Sequence, residues 1–288
     1  MHKITIILTF AELFQASSIN SMDLKKLMIR AISGAVYVGI IIGCIFWGVF
    51  PFSWMAAIFG ALAVIEFEKI THEINKRTIP AMILDIAGVI SLSFGWMVSP
   101  LLIWIFIIIC RLIIELYIKS SRPLHNLAHS LMTQIYIGIP LGAMTLIGEW
   151  WNLHIVLALC LMIWINDTGA FLVGSTLGKH RLFERISPKK SWEGFFGGLV
   201  FNIAASYFFS LHSISFFSID WNYGQWIGLG IATTLFATWG DLVESMIKRD
   251  LRIKDSGNII PGHGGILDRI DSLLMVMPAS LLYLFIFI

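Results

Sequence analysis

Charge is what this sequence has least of. Of its 288 residues, 13% are Asp, Glu, Lys or Arg, against about a quarter in an average soluble domain. A soluble core does not account for a deficit of that size. Cysteine is also scarce. Cys44, Cys110 and Cys160 each lie inside an apolar run, with no CxxC pairing and no histidine at ligand spacing. That pattern argues against a disulfide framework or a zinc site and reads as small side chains buried in a membrane. No repeat of fixed period is visible. The longest polar stretches, 178–193 and 248–269, are too short to fold as soluble domains. The net charge of +2 says little by itself, and no nucleic-acid partner is expected from it.

What is abundant is apolar sequence, 57% of the chain, arranged in long runs rather than periodic stripes. Runs of about 18 or more apolar residues read as membrane-spanning helices. Nine spans are expected, near 29–49, 52–68, 80–98, 101–118, 129–148, 154–177, 194–211, 225–247 and 270–288. The basic residues sort with them. Lys25, Lys26 and Arg30 precede the first span. Lys69, Lys76, Arg77, Lys119, Arg122, Lys179, Arg181, Arg185, Lys189, Lys190, Lys248, Arg249, Arg252, Lys254 and Arg269 fall in every second connection. The alternate connections, near 50, 99, 150 and 212–224, hold no Lys or Arg. This alternation predicts a cytoplasmic N-terminus. The expected fold is an all-α, polytopic membrane bundle, with residues 22–288 as a single membrane-embedded domain. Residues 1–21 read as an interfacial helix or as a misassigned start ahead of Met22.

Charges inside a bilayer are costly and default to functional hypotheses. Arg111 and Glu115, four residues apart, are expected to pair. Asp85 has no obvious partner and reads either as lining a site or as lying near an interface. Glu66 and Glu68, at the end of the second span, read as solvated. In the sixth span Asn166 and Asp167 precede a run of small residues that permits close helix approach. There Asp167 is either an interhelical bonding group or a site carboxylate. In the eighth, Asp241, Glu244 and Lys248 share one helix face. Asp268 and Asp271 then open the ninth span. Carboxylates converging at two helix ends suit a hard divalent cation that keeps waters and substrate phosphates as ligands. Between them, Pro261-Gly262-His263-Gly264-Gly265 permits close backbone approach to an anion. Lys248, Arg249, Lys254 and Arg269 supply cations suited to phosphate. The combination predicts phosphoryl chemistry on a lipid phosphate or a nucleotide.

At these residues the sequence resembles the phosphatidate cytidylyltransferases, or CDP-diacylglycerol synthases. SMIKRDLRIKDSGNIIPGHGGILDRID, Ser245 to Asp271, meets every fixed position of that family's signature. NDTGAFLVG (166–174) and SPKKSWEG (187–194) are similar to its other characteristic stretches. The resemblance implies attack by a phosphatidic acid oxygen on the α-phosphorus of CTP, releasing pyrophosphate. It implies that Asp241, Asp268 and Asp271 hold Mg2+, with K+ a candidate second cation. Lys248, Arg249, Lys254 and Arg269 would bind phosphates, and His263 with Gly264 and Gly265 would line the nucleotide phosphate region. Asp167 would share the polar cavity, and Lys189, Lys190 and Ser191 would meet substrate phosphate. Members of that family are often dimers, so a homodimer is a candidate assembly, and the alternation of Lys and Arg puts the expected active site on the cytoplasmic side of the inner cell membrane. Two rivals stand beside this reading. One is a related CTP-using lipid enzyme, either a cytidylyltransferase for another lipid phosphate, which would still release pyrophosphate, or a kinase, which would release CDP. A cation- or proton-coupled transporter would need its carboxylates to connect both faces.

Overall fold

The computed structural model describes residues 28–29, 31–71, 78–95, 98–261 and 264–288. The expected extension at 1–21 and the early basic residues lie outside them. The chain is a bundle of helices. Among the described residues, six helical stretches are long and apolar enough to cross a membrane, and two further apolar helices are shorter. In chain order these are α1 (Ala31–Trp47), α2 (Val49–Ile70), α3 (Ile79–Ser93) and α4 (Val98–Tyr117), with α1 and α3 the shorter pair. The helical run Pro123–Leu177 holds both the fifth and sixth expected spans. It comprises α5 (Pro123–Thr133), α6 (Ile139–Ile147) and α7 (Leu153–Leu177), joined by wide π-type turns at Gln134–Gly138 and Gly148–Asn152. Then follow α8 (Trp192–Leu211), a short α9 (Ser213–Phe217), α10 (Tyr223–Asp250) and α11 (Leu267–Phe287).

Local chemistry explains the breaks. Pro140 lacks an N–H and crowds the preceding turn, so the chain widens just before it. Asn152 leaves the helical region altogether (φ −169°, ψ 139°), and its side chain caps α7 by accepting from the His154 N–H. That one residue separates the two spans. α10 opens on a reciprocal capping box between Asn222 and Gln225. A two-stranded antiparallel hairpin joins α7 to α8. β1 (Arg181–Phe183) pairs with β2 (Ser187–Ser191), Arg181 opposite Ser191. The sequence reading leaves this segment as an irregular polar connection.

The apolar core lies between α2, α6, α7, α10 and α11, where Phe52, Leu141, Ile155, Met162 and Leu229 are fully buried. α4 is inverted: Leu102, Phe106, Ile109, Leu112 and Leu116 all face outward. An outward apolar face is what lipid, rather than water, selects. Aromatic rings gather at the ends of the helices opposite the Lys- and Arg-bearing connections. Trp54 packs edge-on against Phe94, and Trp150 and Trp151 against Phe285, as an interfacial aromatic belt does.

The intramembrane charges of α3–α5 resolve into one network. Arg111 pairs with Glu115 at 2.8 Å and donates through Nε to Ser130, whose hydroxyl donates to Asp85 at 2.7 Å. Asn126 completes Glu115. Asp85 is thus held at a helix interface. The solvated reading of Glu66 and Glu68 is corrected: both are buried. Glu68 lies 3.7 Å from His129, and Glu66 turns inward beneath the signature loop.

Candidate active site

Two helices must come unusually close to bring the signature carboxylates together. Gly240 permits it. A Cβ there would lie 2.8 Å from the Asp271 carbonyl oxygen and 3.0 Å from Ser272 Cα, so α10 rests directly on the backbone of α11. Asp241 and Asp271 consequently line one cavity of about 450 Å³, joined by Asp268 and Arg269 of α11 and Asp167 of α7. Its remaining wall is largely apolar and includes Ile41, Cys160 and Leu273. A second cavity, of about 620 Å³, lies between the hairpin, α7 and α8. Arg181, Lys189, Lys190 and Ser191 line it, together with Phe171 and Phe195. Asp167 and Asp241 line both cavities. At this junction Lys190 Nζ lies 2.6 Å from Asp241 Oδ2, and the Ser245 hydroxyl donates to Asp241 Oδ1 at 3.1 Å.

The other signature residues form the frame around the cavities. Lys248 donates to Glu244 at 2.6 Å and to Asp268 at 2.8 Å. The second Asp268 oxygen accepts from the Ser256 N–H, the Ser256 hydroxyl and the Gly265 N–H, each at 2.9 Å. Asp268 therefore ties the loop to the start of α11. Glu66 adds a second tie from α2: its Oε2 accepts from the Leu267 N–H at 3.0 Å and from Ser256 Oγ at 3.4 Å. A carboxylate at the first turn of α11 also complements the helix dipole. Gly264 has φ +86°, a conformation glycine adopts without strain. The space beside Gly265 is filled by Glu66 and Ser256, so a side chain there would collide with both. From α1, the Ser33 hydroxyl donates to Pro261 O and the Tyr37 hydroxyl to Arg269 O.

The expected residues thus separate. Asp167, Asp241, Asp268, Asp271 and Arg269 share one cavity, and Lys189, Lys190 and Ser191 share the other. The Ser191 hydroxyl caps α8, accepting from the Gly194 N–H at 3.1 Å. Arg249 donates through Nε to Ile186 O at 3.3 Å, docking the hairpin on α10. Lys254 is exposed and lines neither cavity. The Gly265 N–H, expected to face an anion, is directed at Asp268. His263 lies outside the described residues.

Among the described residues no three His, Cys, Asp or Glu side chains stand close enough together to hold a metal ion. The donor chemistry of the first cavity is nevertheless that of a magnesium site, all carboxylate oxygen. Mg2+ commonly takes only one or two protein carboxylates and completes its shell with waters and substrate phosphates. Sequence reasoning missed Glu66, whose signal was an acidic residue inside an apolar run. It also read Arg181 only as a topology marker; its position opposite Ser191 appears once the hairpin is paired.

A model of the cytidylyltransferase family matches residues 28–287. The phosphatidate cytidylyltransferase of Bacillus subtilis (strain 168) is 31% identical over 273 residues, 89% of this chain and 96% of the relative. That of Staphylococcus aureus (strain COL) is 43% identical over 169 residues, and that of Staphylococcus haemolyticus (strain JCSC1435) 40% over 163. Both of these matches cover 56% of this chain and 60% of the relative.

Proposed function

We propose that this chain, which belongs to the cytidylyltransferase family, transfers the cytidylyl group of CTP to phosphatidic acid, giving CDP-diacylglycerol and pyrophosphate. The observation that carries the reading is the sharing of Asp167 and Asp241 by two cavities. The first brings four aspartates and Arg269 together beside apolar side chains, and the second carries Arg181, Lys189 and Lys190, which suits chemistry between phosphates held by a metal and by cations. Such a displacement needs positioning and charge neutralisation more than covalent help. The phosphatidate oxygen arrives ionised, so no strong general base is needed.

The chain's own residues divide the work. Lys190, beside Asp241, is placed to take up negative charge at the junction. Arg269 serves the phosphate in the first cavity, and Lys189 with Ser191 that in the second. The family resemblance adds Arg249, Lys254, His263, Gly264 and Gly265 to the proposed phosphate-binding set, and Lys248 as well, whose ammonium here is bonded to Glu244 and Asp268. Asp241, Asp271 and Asp268 are the proposed magnesium carboxylates, with K+ a candidate second cation. Bound there, magnesium would offset charge on the triphosphate and the departing pyrophosphate. The Lys- and Arg-bearing connections are placed at the cytoplasm, in the inner cell membrane, and the aromatic belt at the far face. Members of the family are often dimers, and a homodimer is the proposed assembly.

The test supplies purified protein with phosphatidic acid, magnesium and CTP labelled separately at the α- and γ-phosphates. The expected result is α-label in lipid and γ-label in pyrophosphate. Transfer of γ-label to lipid would instead make the chain a kinase.

A further inference from the structure

The start of α11 carries three of the charged residues that line the first cavity, Asp268, Arg269 and Asp271. Its own N-cap residue, Ile266, has no side-chain acceptor. The Leu267 N–H donates instead to Glu66 Oε2 at 3.0 Å, across 201 positions of sequence. A helix begins with orphan N–H groups, and a carboxylate there meets both a donor and the positive end of the helix dipole. Glu66 is 3% exposed, and the signature loop is shaped around it. A Cβ on Gly257 would collide with Glu66, whose atoms are the three nearest to it. One on Gly265 would collide with Glu66 and Ser256. Neither glycine has a positive φ. Backbone conformation therefore does not require them; the space taken by the carboxylate does. Glu66 Oε1 rests in that space with no hydrogen-bond partner among the described residues.

Resting on the cytidylyltransferase reading, we propose that Glu66 is a positioning residue for the reaction. It is a cap delivered from α2 that fixes α11 along its axis, so that Asp268, Arg269 and Asp271 meet Asp167 and Asp241 in one cavity. The close contact of Gly240 with the α11 backbone sets how near α10 and α11 lie. Such a contact limits approach but does not choose the axial register. A single N–H bonded to a single buried oxygen does. One residue of slippage along a helix is 1.5 Å, and a displacement of about 1 Å can cost on the order of 100-fold in rate. The cap comes from a rigid support, because Val64 and Phe67 on either side of Glu66 are buried in the apolar core. Ser256 links the two acids, its hydroxyl lying 2.9 Å from Asp268 Oδ2 and 3.4 Å from Glu66 Oε2. Glu66 itself lines neither cavity, so it acts through α11 rather than on a substrate.

Two measurements on the full chain in detergent test this. The first is a double-mutant cycle read by melting temperature. Gly257→Ala should lower the melting temperature of the wild-type chain and have at most about half that effect beside Glu66→Ala, where the space is free. Equal losses in both backgrounds overturn the argument from space. If Gly257→Ala alone does not fold, recovery of folded protein by Glu66→Ala supports it and continued failure overturns it. The second is initial-rate kinetics with α-labelled CTP. Glu66→Ala should lower kcat about 10- to 100-fold and raise the magnesium concentration for half-maximal rate, as loss of an outer partner behind ligating carboxylates does. Glu66→Gln keeps an acceptor oxygen for the Leu267 N–H and should recover most of that loss. Arg111→Met, whose network lines neither cavity, should lower the melting temperature but keep the wild-type kcat and magnesium requirement. A Glu66→Ala protein that melts lower yet keeps both makes Glu66 a fold tie only and overturns the proposal, as does a Gln variant no faster than Ala. If γ-label rather than α-label enters lipid, the cytidylyltransferase reading fails. The same comparison on γ-transfer, with the melting cycle, then decides the role of Glu66.

Discussion

Lys248 is placed to act as an internal counterion, and its removal has a calculable consequence. Its ammonium donates to Glu244 at 2.6 Å and to Asp268 at 2.8 Å, and the three side chains are 15%, 1% and 7% exposed. Lys248→Met keeps most of the stem volume and deletes only the charge. Two buried carboxylates then face each other without a cation. Breaking a buried pair by removing one partner costs about 3–5 kcal/mol. At roughly 2–4 °C per kcal/mol for chains beyond 150 residues, the melting temperature should fall by roughly 6–20 °C. Intrinsic fluorescence from the 11 tryptophans can follow unfolding in detergent. Adding Glu244→Gln should recover part of the loss, because one stranded carboxylate becomes neutral. Lys248→Met melting within about 2 °C of wild type, with only a raised KM, would refute the counterion argument and make the lysine chiefly a substrate contact.

Four further outcomes follow from the same geometry. Asp241→Asn and Asp271→Asn should each lower turnover more than about 100-fold while leaving the elution profile of the folded protein unchanged; full activity in both would remove the metal assignment. Chelation by EDTA should abolish transfer and added magnesium restore it, measured by the α-label assay. Glu66→Ala deprives the buried Leu267 N–H of its acceptor and should cost about 1–3 kcal/mol, read as lower melting and faster proteolysis of 254–265, with Glu66→Gln milder. Arg111→Met should destabilise by about 3–5 kcal/mol with the KM for both substrates unaltered, since its network touches neither cavity.

Much of the bundle was legible because membrane segments announce themselves by composition. Apolar runs placed the helices, and the alternation of Lys and Arg grouped their ends. The number of crossings was less legible, because α1 and α3 are short and one 55-residue helical run contains two spans. A count of apolar residues does not reveal that a single extended residue, Asn152, divides them. The carboxylates of the site were found through their spacing, since i, i+3 and i+7 positions share a helix face whatever the tertiary structure. Long-range pairing was not accessible that way. Lys190 meets Asp241 from a hairpin 51 positions upstream, and Glu66 reaches the signature loop from about 190 residues away. Both contacts depend on how α2 and the hairpin pack, which no local pattern encodes.

The intramembrane charges also show how function and structure separate once partners are known. The transporter alternative groups Asp85, Asp167 and Asp241 as one path, each being a carboxylate in an apolar run. In the fold, Asp85 accepts from Ser130, which in turn accepts from Arg111, and Arg111 pairs with Glu115. Asp85, Arg111, Glu115 and Ser130 line neither of the two cavities, and their mutual bonds offset the desolvation of each member. Asp167 and Asp241 are arranged differently. They line open volume, and the cation nearest Asp241 belongs to a hairpin that itself walls a cavity. A buried charge whose partners are all internal holds helices together, whereas one whose partner borders a cavity can exchange that partner for a substrate. The transporter alternative requires a third arrangement, carboxylates strung between the two faces. Asp85 is locked in its network rather than placed along such a path, while the cavity-lining acids gather near the basic ends of α7, α10 and α11, which favours chemistry at one face over passage between two.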